Sequence, residues 1–347
     1  MSEYLPSRVL PGDKRSLSQV DDLLAAEGIC RDRNLDYICA LRDEEGKIVA
    51  TGSCFGPTLR CFAVDRAHQG EGLLNTLLSH LMEVQLARGN GHLFVYTKVK
   101  SAKFFESLGF YEIARVGDTL SFLENRKRGF PAYLEQLAAT KTGGTSGALV
   151  MNANPFTLGH QYLAEAAAAQ CDTLHLFVLS EDASLVPFPV RRELVRQGVA
   201  HIPNVVLHDS GPYIISSATF PSYFLRDDAT VIRGHARLDV QVFGRIAQSL
   251  NVTHRFVGEE PTSQVTGIYN EILAQELPKA GVDCHILPRK AFGGQPISAS
   301  TVRLALRDRD WDTLGNLVPE TTLGFFQSAQ AEPILARIAQ AEELAHY

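Results

Sequence analysis

Several things the chain lacks narrow the field before any motif is read. No two of its six cysteines (Cys30, Cys39, Cys54, Cys61, Cys171 and Cys284) form a CxxC pair, and no Cys/His group has zinc-ligand spacing. That excludes a zinc-ribbon module, and reduced structural thiols in the cytoplasm are the expectation. No apolar run approaches the roughly 20 residues of a membrane-spanning helix. The opening "MSEYLPSRVLPGDKRS" is charged early and has no signal-peptide core. Basic charge is not in excess. Lys and Arg number 33 against 39 Asp and Glu, a formal net charge of −6, whereas a nucleic-acid partner wants a basic face. Neither a GxxxxGK(S/T) loop nor a complete GxGxxG occurs, so kinase-like and dehydrogenase-like readings lose ground.

What remains is a chain of 347 residues, 45% hydrophobic, long enough for two domains with separate cores. Composition shifts at "ATKTGGTSG", where Gly, Ser and Thr crowd together as linkers do. This predicts one domain over residues 1–138, a linker over 139–147 and a second domain over 148–347. Before the linker, "DYICAL", "KIVATGSCFG" and "LRCFAV" read as strands, and "QGEGLL" as a turn feeding a leucine-striped helix. "HLFVYTK", "YEIARVG" and "TLSFLE" complete a mixed sheet around the short helix "KSAKFFESLGF". After the linker, strands and helices alternate: "GALVMNA", "LGHQYLAEAAAAQ", "TLHLFVLS", "PVRRELVRQGVAH" and "VVLHDS". "ATVIRG", "THRFVGEE" and "DCHILPR" read as further strands, and "ISASTVRLALRDRDWDTL" as one closing helix. Such alternation predicts an α/β protein with a doubly wound parallel sheet, Rossmann-like, in its second half.

The chemistry concentrates in "NANPFTLGH", between the first strand and first helix of that half. Ligands of open α/β sheets sit beyond the carboxyl ends of the strands. A helix start offers unpaired N–H groups and a positive dipole end, which attract phosphate. Gly159 would let a phosphate approach the backbone, and His160 could hydrogen-bond one of its oxygens. Read alone, TxGH fits equally well a Thr157 that only caps the helix and a His160 on the surface. A second helix start, "PISASTVR", places Ser298, Ser300 and Thr301 with Arg303 in the first turn, as a second phosphate clamp would. Ser300 alone would be an ordinary cap.

TxGH followed about 140 residues later by ISxSxxR resembles the HIGH-type nucleotidyltransferase superfamily, with Thr157 in place of the usual first His. "VMNANPFTLGHQYLAEAA", "GPYIISSATFPSYFL", "RFVGEEPTSQVTGIYN" and "ISASTVR" together resemble citrate lyase ligase over most of Gly147 to Phe326. The resemblance implies that ATP and acetate give acetyl-AMP and pyrophosphate, with Mg2+ accompanying the nucleotide. The acetyl group would then pass to the thiol of a coenzyme-A-like arm on the acyl carrier protein of citrate lyase. It further implies that Asn154, Phe156, Thr157, Gly159 and His160 cradle ATP, with His160 at the attacked α-phosphate. Ser298, Ser300, Thr301 and Arg303 would hold the β and γ phosphates, and His160, Thr157 and Arg303 would form the catalytic set. Arg191 either faces the nucleotide or is a solvated helix charge. Glu259 and Glu260 either position Mg2+, ribose or a substrate group, or form a solvated turn. Tyr213 and Ser217 either line an acetate or thiol pocket or pack a hydrophobic loop. Cys171 and Cys284 need no role beyond packing.

In the first half, "QGEGLL" resembles the pyrophosphate loop of GNAT-type acetyltransferases, and "AKFFESLGFYEIARV" the segment closing that fold. Gln69, Gly70 and Gly72 are therefore candidates for binding the coenzyme-like arm. Leu74 stands where the motif has Gly or Ala. Two other functions fit parts of the pattern: an adenylyltransferase acting on a phosphopantetheine-like acceptor, and a GNAT-type acetyltransferase.

Overall fold

The computed structural model describes residues 4–32, 34–181, 183–214, 220–221, 223, 228–259 and 264–341, with backbone alone at 228–229 and 264–266. The chain forms two compact units. One comprises Met1–Pro131 with Pro221–Gly234, the other Ala132–Phe220 with His235–Tyr347.

The first unit runs β1 (Ser7–Val9), α1 (Lys14–Ala26), β2 (Tyr37–Arg42), β3 (Ile48–Phe55), β4 (Thr58–Val64), α2 (Leu73–Ala87), β5 (Phe94–Thr97), α3 (Val99–Ser107), β6 (Tyr111–Val116) and β7 (Leu120–Glu124). Helix α4 (Gly129–Ala138) follows and spans the boundary between the units. The sheet order is β1-β2-β3-β4-β5-β7-β6. Helix α2 buries Leu73, Leu77, Leu78 and Leu81, a stripe at helical spacing, in a core shared with Leu41, Val49, Leu59, Val95 and Phe105.

Every neighbouring pair in this sheet is antiparallel except β4 and β5. These two pair in parallel only at Thr58–Phe94 and Leu59–Val95. Beyond Leu59 the strands part, and β4 carries a bulge where Cys61 adopts φ 55°. Tyr223, 5% exposed and far along the chain, fills this region. Its hydroxyl donates to the Tyr96 carbonyl and accepts from Thr97, while its own carbonyl takes the Cys30 N–H at 2.8 Å. A phenol thus supplies a bond to a strand carbonyl where β4 and β5 no longer pair.

The second unit contains β8 (Ser146–Met151), α5 (Leu158–Ala168), β9 (Thr173–Val178), α6 (Phe188–Gly198), β10 (Val205–Asp209), α7 (Asp228–Leu250) from His235 onward, β11 (Val252–Gly258), α8 (Gln264–Glu276) and β12 (Asp283–Leu287). The hairpin β13 (Ala291–Phe292)–β14 (Gln295–Pro296) follows, then α9 (Ala299–Asp308), α10 (Trp311–Gly315), α11 (Glu320–Phe326) and α12 (Glu332–Gln340). The sheet is wholly parallel, in the order β10-β9-β8-β11-β12. Central β8 is a continuous apolar run, as a strand covered on both faces must be. Its neighbours β9 and β11 lie on opposite sides, so the strand order reverses there, and the carboxyl ends at such a reversal are where open α/β sheets take ligands.

Two expectations are corrected. "ATVIRG" is not a strand but lies within α7. The buried residues Ala236, Asp239, Val240, Phe243, Ile246, Ala247 and Leu250 give the rest of α7 a helical stripe, and the helix they anchor takes in the β-branched pair Val231–Ile232. The closing helix is also two. Arg309 turns left-handed (φ 52°), and the Asp310 side chain caps α10 by accepting from Thr313 N–H at 3.0 Å. Ser146 and Gly147, at the end of the expected linker, are already in β8. β1 and α1, which no sequence expectation covered, complete the first unit.

Candidate functional site

The loop from β8 to α5 leaves the sheet at the reversal point. Thr157, 1% exposed, caps α5: its Oγ1 accepts the His160 N–H at 3.2 Å. The His160 ring folds back, and Nδ1 accepts the Thr157 N–H at 3.1 Å and lies 2.9 Å from Thr157 Oγ1. With Nδ1 accepting, this network assigns the neutral ring's proton to Nε2. The ring is half-buried and stacked on Phe156 at 5.8 Å. Burial, helped by the positive charge of Arg289, holds its pKa at about 4. At neutral pH His160 is therefore an uncharged donor.

Gly159 is shaped by a contact other than the one expected. A Cβ there would lie 3.1 Å from the Ile297 carbonyl, so it is backbone that approaches this glycine. The contact brings the α9 start against the α5 start. Ser298 caps α9, its Oγ accepting the Thr301 N–H at 3.1 Å and lying 2.8 Å from Thr301 Oγ1. Ser298 and Ser300 are half-buried and Thr301 is exposed. At α5 the Leu158 N–H goes to the Leu317 carbonyl at 2.9 Å.

Three of the residues expected near the nucleotide are buried in contacts with the protein itself. Arg191 is 0% exposed. Its Nε donates to Val186 O at 2.9 Å, Nη1 to Asn152 O, Asn152 Oδ1 and Leu179 O at 2.8–2.9 Å, and Nη2 to Glu181 O at 2.5 Å. It does not sit in solvent, and it ties the loops after β8 and β9 to α6. Phe156 is likewise fully buried in the core behind the His160 ring. Arg303, 1% exposed, donates from Nη1 to Asn154 O at 2.6 Å and from Nη2 to Ser300 Oγ at 3.1 Å, and burial lowers its pKa to about 10. It joins the two loops rather than reaching out of them.

Asn154 is 2% exposed, and its Oδ1 accepts Val186 N–H at 3.0 Å, yet its Nδ2 has no partner among the described residues. A buried amide donor without an acceptor is costly unless something else meets it. Glu259 is exposed at the end of β11. Its N–H goes to Leu287 O at 2.7 Å, and its carbonyl accepts Arg289 Nε at 2.6 Å. Glu260 and Ser217 lie outside the described residues. Tyr213 is buried against Tyr133, ring centroids 5.0 Å apart. Arg289 is the residue sequence reading missed. Its only signal was the basic pair in "LPRKAFGG", between the last strand and the second clamp.

In the first unit, Gly70 (φ 94°) and Gly72 (φ 79°) are exposed with open space around them, and Gly72 starts α2 without a side-chain cap. Gln69 is exposed beside them, and Glu71 between them accepts the Tyr4 hydroxyl at 3.0 Å. The cysteines Cys39, Cys54 and Cys61 are buried, and burial pushes each thiol up to about 12. No helix among the described residues is long and apolar enough to cross a membrane.

Both halves match known families. Residues 7–110 match the acetyltransferase (GNAT) family, and residues 146–326 match the family described as the citrate lyase ligase C-terminal domain. Among curated proteins, the chain is 39% identical over 327 residues to a citrate (pro-3S)-lyase ligase of Klebsiella pneumoniae, covering 92% of this chain and 95% of that one. It is 36% identical over 322 residues to the enzyme of the same name from Haemophilus influenzae, covering 91% and 96%. A solved structure of Thermotoga maritima TmcAL bound with alpha-thio ATP matches more loosely, at 14% identity and a TM-score of 0.37, over 55% of this chain and 57% of that one. The chain belongs to the citrate lyase ligase family.

Proposed function

We propose that this chain is an ATP-dependent acid–thiol ligase. It activates acetate as acetyl-AMP and then acetylates the prosthetic thiol on the acyl carrier protein of citrate lyase. The observation that carries the reading is the meeting of two helix starts at Gly159 and Ile297, with the uncharged donor His160 beside them.

An acetate oxygen attacks the α-phosphorus of ATP, the bond to the β-phosphate oxygen breaks, and pyrophosphate leaves with its electron pair. No protein nucleophile is required, so catalysis rests on position and on stabilising phosphate charge. His160 Nε2–H donates to an α-phosphate oxygen, where charge builds in the transition state. A charged imidazolium would be repelled by Arg289, and burial keeps the ring neutral. The buried Asn154 Nδ2 suits an acceptor on the nucleotide, and the starts of α5 and α9 face the phosphates. Thr157, Ser298 and Thr301 fix those starts through their caps. Arg303 and Ser300 hold the two loops in register, which makes Arg303 a positioning residue. No three His, Cys, Asp or Glu side chains converge among the described residues. Mg2+ would then be held mainly by phosphate oxygens, as is common for this ion.

In the second step the thiolate of the arm attacks the acetyl carbonyl, and AMP leaves. The open glycine loop at Gln69, Gly70 and Gly72 is the candidate seat for a phosphate of that arm. A cytoplasmic setting suits six free thiols. The boundaries proposed for the domains remain 1–138 and 148–347 in sequence, with Pro221–Gly234 packed on the first unit.

The test is exchange of labelled pyrophosphate into ATP with and without acetate. Acetate-dependent exchange is expected. Exchange driven by a phosphopantetheine-like acceptor without acetate would make the chain an adenylyltransferase instead.

A further inference from the structure

We propose that Arg289 is the cation that contacts the pyrophosphate end of the bound nucleotide, a role resting on the adenylate-forming reading above. The argument begins with charge. A nucleoside triphosphate is a polyanion, and pyrophosphate gains charge as it leaves. The two arginines the motifs pointed to are enclosed at 0% and 1% exposure. Arg191 would strand four backbone carbonyls by turning outward, and Arg303 would release Asn154 O. His160 is neutral, and helix starts supply only partial charges. A full positive charge supplied at the phosphates by a protein side chain, beside that of Mg2+, must then come from another residue.

Arg289 stands two residues beyond the carboxyl end of β12, on the connection that leads to the α9 start. Its Nε anchors on Glu259 O at 2.6 Å, and Glu259 N–H is held by Leu287 O, so the side chain bridges the carboxyl ends of β11 and β12. The next residue, Lys290, accepts Ile297 N–H at 2.9 Å and closes the base of the β13–β14 hairpin. Ile297 is the residue whose carbonyl abuts Gly159. Arg289, the second helix start and the His160 helix are thus linked through one short hairpin. Arg289 is half-buried rather than enclosed, and its charge, after burial, helps to lower the His160 pKa. A planar fork on a fixed Nε anchor suits two phosphate oxygens better than an ammonium would.

The alternative is that Arg289 acts only as a brace, through Glu259 O and its other protein contacts. Full-length Arg289→Ala, Arg289→Gln and Arg289→Lys separate the two. Gln can keep a hydrogen bond to the Glu259 carbonyl but carries no charge, whereas Lys keeps the charge without the fork. Calorimetry with ATP and with AMP, acetate-dependent exchange and melting are measured on each, with Lys290→Ala as a control. We expect Ala and Gln to lose about 10- to 100-fold in ATP affinity and exchange rate. AMP affinity should stay within about twofold, melting nearly unchanged, Lys intermediate and Lys290→Ala near wild type. Parallel loss of ATP and AMP affinity with a lowered melting temperature in Ala, restored by Gln, would identify a brace and overturn the assignment. So would exchange by Gln within about threefold of wild type. If wild type shows no acetate-dependent exchange while Arg289→Gln still loses ATP but not AMP, the ligase reading falls and the role of Arg289 stands.

Discussion

Replacing Arg191 by Met should cripple the fold before it touches chemistry. The substitution roughly preserves the aliphatic volume but removes every donor from a site with 0% exposure. The carbonyls of Val186, Asn152, Leu179 and Glu181 and the Asn152 side-chain oxygen lose the guanidinium together. Each buried acceptor left without a donor costs about 1–3 kcal/mol if nothing replaces it. Water entry and loop relaxation recover part of that sum, so a loss of about 3–5 kcal/mol is expected, as when one partner of a buried charged network is removed. In a domain of this size about 2–4 °C is lost per kcal/mol, giving a fall of roughly 6–20 °C. The assay is thermal and urea unfolding of the full-length chain, alongside ATP affinity by calorimetry at a temperature where both proteins are folded. Under those conditions the folded mutant should bind ATP within a few-fold of wild type. A mutant as stable as wild type that had lost ATP binding would refute the reasoning and return Arg191 to the nucleotide.

His160 should titrate with a midpoint of about 4 in an NMR pH series, because burial and then Arg289 depress it. Its folded pKa lies below the ordinary 6.5, so the folded state binds fewer protons. The stability associated with the neutral ring is therefore present above about pH 6.5 and is lost as pH falls toward 4; a midpoint near 6.5 would contradict the buried, neutral donor. Gly159→Ala places a methyl 3.1 Å from the Ile297 carbonyl and should separate the two helix starts. Pyrophosphate exchange is expected to fall about 10-fold while melting changes little, since better helix propensity of about 1 kcal/mol offsets the crowding; normal exchange would show that the contact is dispensable. A fragment beginning at Gly144 leaves Pro221–Gly234 without the sheet it packs on, so it should bind a hydrophobic dye more strongly than the intact chain; equal dye binding would mean that the segment finds another berth.

Local signals were the legible ones. Thr157 caps α5 within three residues of itself, so its hydroxyl could be placed from spacing alone, whereas the cap of α9 is Ser298 and not Ser300, whose hydroxyl instead accepts from Arg303. The apolar run of β8 and the strand–helix rhythm after it likewise carry their own pattern. The surroundings of the arginines were not legible. Arg191 reaches Asn152 across 39 positions, and Arg303 reaches Asn154 across 149. Nothing in "PVRRELV" says that its first arginine turns inward while Arg192 lies at the surface against Asp209. Gly159 was recognised as a close approach, but the approaching group is the backbone of Ile297, fixed only when the hairpin folds. "ATVIRG" misled because β-branched residues speak for a strand over six positions, while the burial stripe of α7 emerges only over its 23.

The reach of Tyr223 back to the first unit also sets a clock. It lies 127 residues downstream of Tyr96, whose carbonyl it satisfies. A ribosome adding about 5–20 residues per second takes roughly 6–25 seconds to cover that distance. For most of that interval, from Glu124 onward, the nascent first unit has all its strands but not the phenol that fills the parting of β4 and β5. The unit that begins folding first is thus among the last to be finished, and a chain stalled between Glu124 and Tyr223 would expose an unfilled seam to the chaperones and proteases that survey new chains.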